Sequence, residues 1–185
     1  AGKPIDGVVI VNNIASMLAQ AGAVAEAQRV VTIHGDVAAR SGVPAMRFFA
    51  NLLCAKVHFL AGNYDMALTC AEQGRAIAQA PPEYLTRLLI YRVHALARLG
   101  HGEQARAAMI ELRAMAAARG DPGLTERLDL IEPEILNAEG RYAEAFVALR
   151  DAHETSAENL MGRFNDGVRE LRATMESEVA DAEQR

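Results

Sequence analysis

Gly62-Asn63-Tyr64-Asp65-Met66-Ala67 decides the fold, because its outline recurs three more times. The other copies are Gly22-Ala23-Val24-Ala25-Glu26-Ala27, Gly100-His101-Gly102-Glu103-Gln104-Ala105 and Gly140-Arg141-Tyr142-Ala143-Glu144-Ala145. Their glycines lie 40, 38 and 40 residues apart, and each is followed five residues later by Ala. Each Gly ends one apolar helical stretch and precedes another. Gly stops a helix because it accepts the left-handed conformation, and the short polar stretch after it starts the next helix. The Ala marks where two helices cross too closely for a larger side chain. A recurring unit of about 40 residues is the signature of stacked helical hairpins.

Working outward, the periodicity predicts helices over roughly 5–21, 23–41, 44–61, 63–80, 82–99, 101–119, 124–139 and from 141 onward. Pro44, Pro81, Pro82 and Pro122 sit between repeats, where Pro opens a helix without losing a needed hydrogen bond. Gly42, Gly120 and Gly123 share those junctions. Pro133 falls inside the seventh helix and predicts a kink there, with a freed carbonyl. Composition agrees with an all-α protein: 51% of residues are hydrophobic, only 5% are aromatic and Trp is absent. The apolar bulk is therefore largely Ala and Leu, strong helix formers. Strand-like alternation is missing over any useful length.

The hairpin signature resembles the tetratricopeptide repeat family, in which an inter-helix Gly, often a following Tyr, and an Ala five after the Gly mark the turn and the crossing. The stretches around Tyr64 and Tyr142 match that pattern best. The resemblance implies a right-handed superhelical stack of about four hairpins, at 5–41, 44–80, 82–120 and 124–158, with 1–158 as the repeat domain. The period near 40 exceeds the family's 34, Asn51 stands where an aromatic is expected, and the first and third repeats lack the Tyr. These departures match the long-repeat variety of bacterial regulatory proteins.

From Arg141 to the chain end there is no Pro and no stop signal. Met161, Phe164, Val168, Leu171 and Met175 are spaced 3, 4, 3 and 4, a heptad-like seam that Val179 extends imperfectly. Asp166, Arg169, Glu170, Arg172, Glu176 and Glu178 suit a solvated face around it. Gly162 and Gly167 each weaken the helix by about 1 kcal/mol relative to Ala and mark a bend. Residues 159–185 thus read as an exit helix that pairs with a second copy as a coiled coil, making a homodimer, or else folds back as a cap on the last repeat. Tyr142 to His153, then Arg163-Phe164-Asn165 and 171–178, resemble the last repeat and exit helix of bacterial sensory proteins, where such a domain precedes a GGDEF diguanylate cyclase or, less often, a kinase. That resemblance implies signal transduction through cyclic di-GMP, with the output domain outside this sequence.

Catalytic signatures are missing. The chain contains no P-loop, no strand-linked dinucleotide fingerprint, no H-E-x-x-H, no G-x-S-x-G and no EF-hand loop. His34, His58, His94, His101 and His153 lie on different helices or turns without a Ser or Cys partner, and His153-Glu154 lacks the Pro that follows a kinase phosphoacceptor histidine. Glu132 and Glu134 flank Pro133 as surface carboxylates. Cys54 and Cys70 read as small buried residues in a reducing compartment, and a zinc site from Cys54 and His58 lacks two further ligands. No enzyme activity and no cofactor or metal are expected.

The first helix of each hairpin lines a concave face. Transferring the family's register places Asn12, Ser16, Gln20, Leu52, Lys56, Phe59, Arg87, Ile90, His94, Arg98, Arg127, Leu130 and Asn137 toward that groove. Lys56, Arg87, Arg98 and Arg127 beside Leu52, Phe59 and Ile90 suit a protein partner, an acidic peptide or a chain terminus. The carboxylate clamp of chaperone-binding relatives is not reproduced, since Asn12 and Ser16 occupy its first-repeat positions. A net charge of −5 disfavours nucleic acid. No apolar run reaches the roughly 20 residues of a membrane span. Ala1-Gly2-Lys3-Pro4 lacks a signal-peptide pattern, and the missing initiator Met marks a trimmed start. With the cysteines read as free, the expected location is the cytoplasm. The leading expectation is a non-catalytic sensory and dimerisation module for a protein, peptide or small ligand. The alternatives are a stand-alone adaptor and a peptide-pheromone-binding regulator.

Overall fold

A computed structural model describes residues 4–78, 80 and 82–183, with side chains described for 10–78, 80, 84–121 and 123–176. Pro81, invoked above, lies outside the described residues, and Pro82, Pro122, Glu178 and Val179 lie outside the described side chains. The described residues form nine helices and no strand: α1 (Pro4–Gln20), α2 (Val24–Ser41), α3 (Pro44–Leu60), α4 (Tyr64–Arg75), α5 (Pro82–Arg98), α6 (Gly102–Arg119), α7 (Pro122–Asp129), α8 (Glu132–Ala138) and α9 (Tyr142–Glu183). None is long and apolar enough to cross a membrane.

The same turn closes four hairpins. At its centre Gly62 has φ +77°, and Gly22, Gly100 and Gly140 have φ +80°, +77° and +76°. After each, the next residue's N–H returns to a carbonyl five residues back: Ala23 to Leu18, Asn63 to His58, His101 to Leu96 and Arg141 to Leu136, all at 2.8–2.9 Å. Carbonyls otherwise orphaned at the helix end are thereby satisfied. The following Ala then sits at the crossing. Ala27, Ala67 and Ala105 are fully buried, and Ala145 is nearly so.

Each helix from α1 to α6 packs on the next, and α1 on α3, α3 on α5 and α5 on α8 also touch. The core is accordingly divided into three successive clusters. Ala15, Ala27, Leu53 and Val57 join α1, α2 and α3. Phe48, Ala55, Cys70, Ala71 and Leu88 join α3, α4 and α5. Leu89, Val93, Met109, Leu112, Leu128 and Ile135 join α5 to α8.

Three sequence expectations change. The seventh helix is not kinked but divided: α7 ends at Asp129 and α8 begins at Glu132, just before Pro133. The ring of Pro133 would clash with the carbonyl of residue 129, and its missing N–H ends the ladder there. The fourth helix stops at Arg75 rather than residue 80. Finally, Cys54 and Cys70 are joined by a disulfide, with Cα atoms 5.9 Å apart across α3 and α4. The reading of separate buried thiols in a reducing compartment is thereby overturned; the hairpin crossing brings together two positions whose spacing of 16 residues matches no standard motif.

The C-terminal helix runs unbroken through Gly162 and Gly167. Its first turns pack on α8 and α7 through small residues, with Ala145 and Ala152 buried and Ala148 and Ser156 partly so. Met161, Phe164, Val168, Leu171 and Met175 are all exposed, so the seam does not fold back on the last repeat.

Replacing Gly62 by Ala forces a Cβ into the left-handed region, and unfolding experiments should show a loss of about 1–2 kcal/mol. Ala67→Leu overfills the crossing and should lose about 1–3 kcal/mol or more in the same assay. An unchanged denaturation midpoint for Ala67→Leu would show that the crossing tolerates a wider separation.

Candidate functional site

Helical spacing builds the site. On α3, Phe49, Leu52, Leu53 and Lys56 fall three or four residues apart on one face; on α5, Tyr84, Arg87 and Tyr91 do the same. Together with Asn12 and Asn13 of α1, His34 of α2 and Arg127 of α7, they enclose a cavity of about 330 Å³. That volume is within the range of small-ligand sites.

The walls are aromatic and the charges are positive. Phe49 and Tyr84 meet edge to face at 4.8 Å, and the Arg87 guanidinium lies 5.4 Å over the Tyr84 ring. No Asp or Glu is among the described lining residues. Burial pushes the Lys56 ammonium below its ordinary value, and the charge of Arg87 pushes it further the same way. Burial raises the Tyr91 hydroxyl, partly offset by Arg127 and Arg87. Each shift reports cations crowded into a partly dry space, which an incoming anion would relieve.

His34 adds an unsatisfied group. It is only 7% exposed, and neither ring nitrogen has a hydrogen-bond partner. Burial holds its pKa below the ordinary 6.5, so the ring is neutral at pH 7 and offers one donor and one acceptor. A buried polar side chain without a partner is uncommon enough to call for a reason. Here it faces a cavity large enough for a ligand.

Five of the thirteen groove residues expected from sequence meet at this cavity: Asn12, Leu52, Lys56, Arg87 and Arg127. Ile90 is buried and lines a neighbouring cleft of about 540 Å³, which shares Arg87 and Arg127 with the first. Phe59, His94 and Arg98 gather farther along α3 and α5. There Glu134 accepts from Arg98 at 2.9 Å and lies 2.9 Å from His94 Nδ1, while Phe59 stacks on His94 at 5.1 Å. Burial would raise the Glu134 pKa, but the hydrogen bonds and charges of His94 and Arg98 outweigh it and hold the carboxyl low. Arg98 is thus engaged within the fold. Ser16 is turned into its own helix, donating to the Asn12 carbonyl at 2.5 Å. Gln20 and Asn137 are exposed away from the cavity, and Leu130 caps α7.

Sequence reasoning missed Asn13, His34, Phe49, Leu53, Tyr84 and Tyr91. Phe49 and Tyr84 were recoverable, since Phe49 lies seven residues before Lys56 on α3 and Tyr84 three before Arg87 on α5. His34 was not, because it belongs to a second helix of a hairpin, assigned to the outer layer. Glu132 and Glu134 point to different partners: Glu132 faces Arg106 and Arg113, and Glu134 faces His94 and Arg98. Among the described residues no cluster of His, Cys, Asp or Glu could hold a metal ion.

Comparison with protein-family models, curated proteins and solved structures finds no match.

The pH dependence follows from the buried histidines. Burial lowers both His34 and His58 from 6.5, so the unfolded chain binds protons at a pH where the folded chain does not. Their stabilising contribution is full above pH 6.5 and is lost as pH falls toward the folded values. Thermal melts should therefore show Tm falling between about pH 7.5 and 5.5, and the His34→Gln, His58→Gln double variant should flatten that slope. Equal slopes for the two proteins would remove the histidines as its cause.

Proposed function

We propose that this chain is a non-catalytic binding module, a right-handed superhelical stack of the tetratricopeptide type whose groove takes an anionic ligand. The observation that carries the proposal is the convergence of Lys56, Arg87 and Arg127 on one aromatic-walled cavity with no carboxylate among its described lining residues. A carboxylate at a peptide terminus or on an acidic side chain would supply the missing charge. His34 would hydrogen-bond a second polar group of the same ligand, and Phe49, Tyr84 and Tyr91 would cover its apolar part.

The module's regulatory role is part of the proposal: binding is relayed to α9, which pairs two copies and controls an output domain, a diguanylate cyclase being the leading choice. A short physical route supports this. Arg127 faces the cavity, while its neighbour Glu126 holds α9, accepting from Ser156 at 3.0 Å and pairing with Arg163 at 3.6 Å. Both residues ride on α7, an eight-residue helix set apart from α8 by the break before Pro133. A ligand that draws in Arg127 turns a small unit tied directly to the exit helix. Such a switch requires unequal binding to two arrangements. A stand-alone adaptor would use the same groove without needing Glu126.

The disulfide bears on where this happens. Intact, it fits an oxidising compartment; the cytoplasmic placement expected from sequence requires Cys54 and Cys70 to be reduced there. Thiol counting on protein taken rapidly from its source decides between the two.

The binding test is calorimetric titration with short acidic peptides carrying free C-termini, against the same peptides amidated. Arg87→Ala and Arg127→Ala should each weaken binding by about 5- to 30-fold, and added salt should weaken it further. Binding that ignores both arginines would remove the groove from the function. If binding holds but Glu126→Gln leaves the hydrogen-exchange response of α9 to peptide unchanged, the adaptor reading replaces the sensory one.

A further inference from the structure

One face of α9 carries a long row of exposed apolar side chains. Its exposed large residues include Tyr142, Phe146, Leu149, Leu160, Phe164, Val168, Leu171 and Met175, each 43–69% exposed. Their positions, together with His153 and Ala157, advance by 4, 3, 4, 4, 3, 4, 4, 3 and 4. This is an 11-residue repeat. Tyr142, His153, Phe164 and Met175 occupy one position of it, Phe146, Ala157 and Val168 the second, and Leu149, Leu160 and Leu171 the third.

A heptad cannot describe this face. Extended back from Met161, the heptad seam would place Ala157, Glu154, Arg150, Val147 and Ala143 in the contact line, with two charges among five. At 11 residues for three turns, the stripe instead stays on one side of an almost straight helix. The flanking charges keep the same period: the Arg150–Glu154 and Arg172–Glu176 ion pairs lie 22 residues apart, two repeats. The face that α9 turns to its own domain is a separate one, made of the small residues Ala145, Ala148, Ala152 and Ser156.

We infer that this stripe is an interface with a second copy of the chain, running along α9 from Tyr142 to Met175 rather than over its last turns alone. The inference deepens the dimerisation part of the functional reading and is independent of the groove's ligand. Length argues for the occupant. The stripe spans 34 residues, about 50 Å of helix, whereas the next longest helices, α2 and α6, have 18 residues, about 27 Å. No other described helix can cover it, but a second α9 matches it in length and period. The apolar surface left open is on the order of 900 Å² per chain, against about 800 Å² per partner in a standard interface. Each stripe is edged by both Arg and Glu, so two copies can pair without like charges facing along the whole length. An 11-residue repeat gives a shallow right-handed crossing, opposite in hand to a heptad coiled coil.

The test is sedimentation equilibrium on the full chain, with circular dichroism to verify helicity. The wild type should sediment at twice the 19.9 kDa chain mass. Leu149→Glu and Leu160→Glu should each raise the dimer dissociation constant at least about tenfold, and Met161→Glu, at the edge of the stripe, less than about threefold. Phe146→Ser, at a 69% exposed position, repeats the test without touching the core. A wild type that is monomeric at about 100 µM overturns the inference. So does a dimer that survives Leu149→Glu and Phe146→Ser but is broken by Met161→Glu, since that assigns the heptad seam. Arg87→Ala and Arg127→Ala should leave the mass unchanged, so failure of the ligand reading is distinguishable from failure of the interface.

Discussion

Four close crossings hold the molecule, each made by a buried alanine three residues into a helix and fixed by a left-handed glycine turn five residues before it. Ala27, Ala67, Ala105 and Ala145 let the paired helices approach until neighbouring side chains interlock. The returning hydrogen bond after each glycine fixes the entry angle, so the direction of every second helix is set locally. Other contacts follow from that geometry. The core clusters grow around these crossings, Ala27 belonging to the first and Ala105 to the third, and the aromatic pair Phe49–Tyr84 can form only because α3 and α5 come side by side.

Two supports reinforce this arrangement where crossings alone leave it weak. Arg106 of α6 clasps Glu139 with both nitrogens at 2.9 Å and also reaches Glu132, tying α6 to both ends of the short α8. The approach is close enough that a Cβ on Gly102 would stand 3.0 Å from the Glu139 backbone nitrogen. The Cys54–Cys70 bridge joins α4 to α3, the helix that carries Phe49, Leu52 and Leu53 of the cavity wall. The groove therefore stands on the most restrained hairpin, while its last cation, Arg127, stands on a short helix.

Local chemistry was legible in the sequence, and long-range pairing was not. The turns at Gly22, Gly62, Gly100 and Gly140 depend on residues within six positions of each other, and all four take the expected backbone. Lys56, Arg87 and Arg127 were placed on the groove by carrying the register implied by the tetratricopeptide resemblance onto their helices, and all three line the cavity. The disulfide escaped because two cysteines on different helices meet only through the crossing angle. His34 escaped for a related reason: it lines the cavity from α2, the second helix of its hairpin. The 11-residue stripe was read in part, since its last four members also fit a heptad and the charged Arg150 and Glu154 conceal the continuation in any scan tuned to seven.

The unsupported length of α9 makes it a pointer. Among the described side chains its last tie to the preceding helices is Arg163 on Glu126, and twenty residues of helix follow, ending at Glu183, about 30 Å of rise. A tilt of about 5° at that anchor displaces the far end by about 2.6 Å, comparable to the sub-turn helix shifts that distinguish states in switching proteins. Geometry alone thus turns a change too small to disturb any crossing into a displacement of bond length or more at the tip.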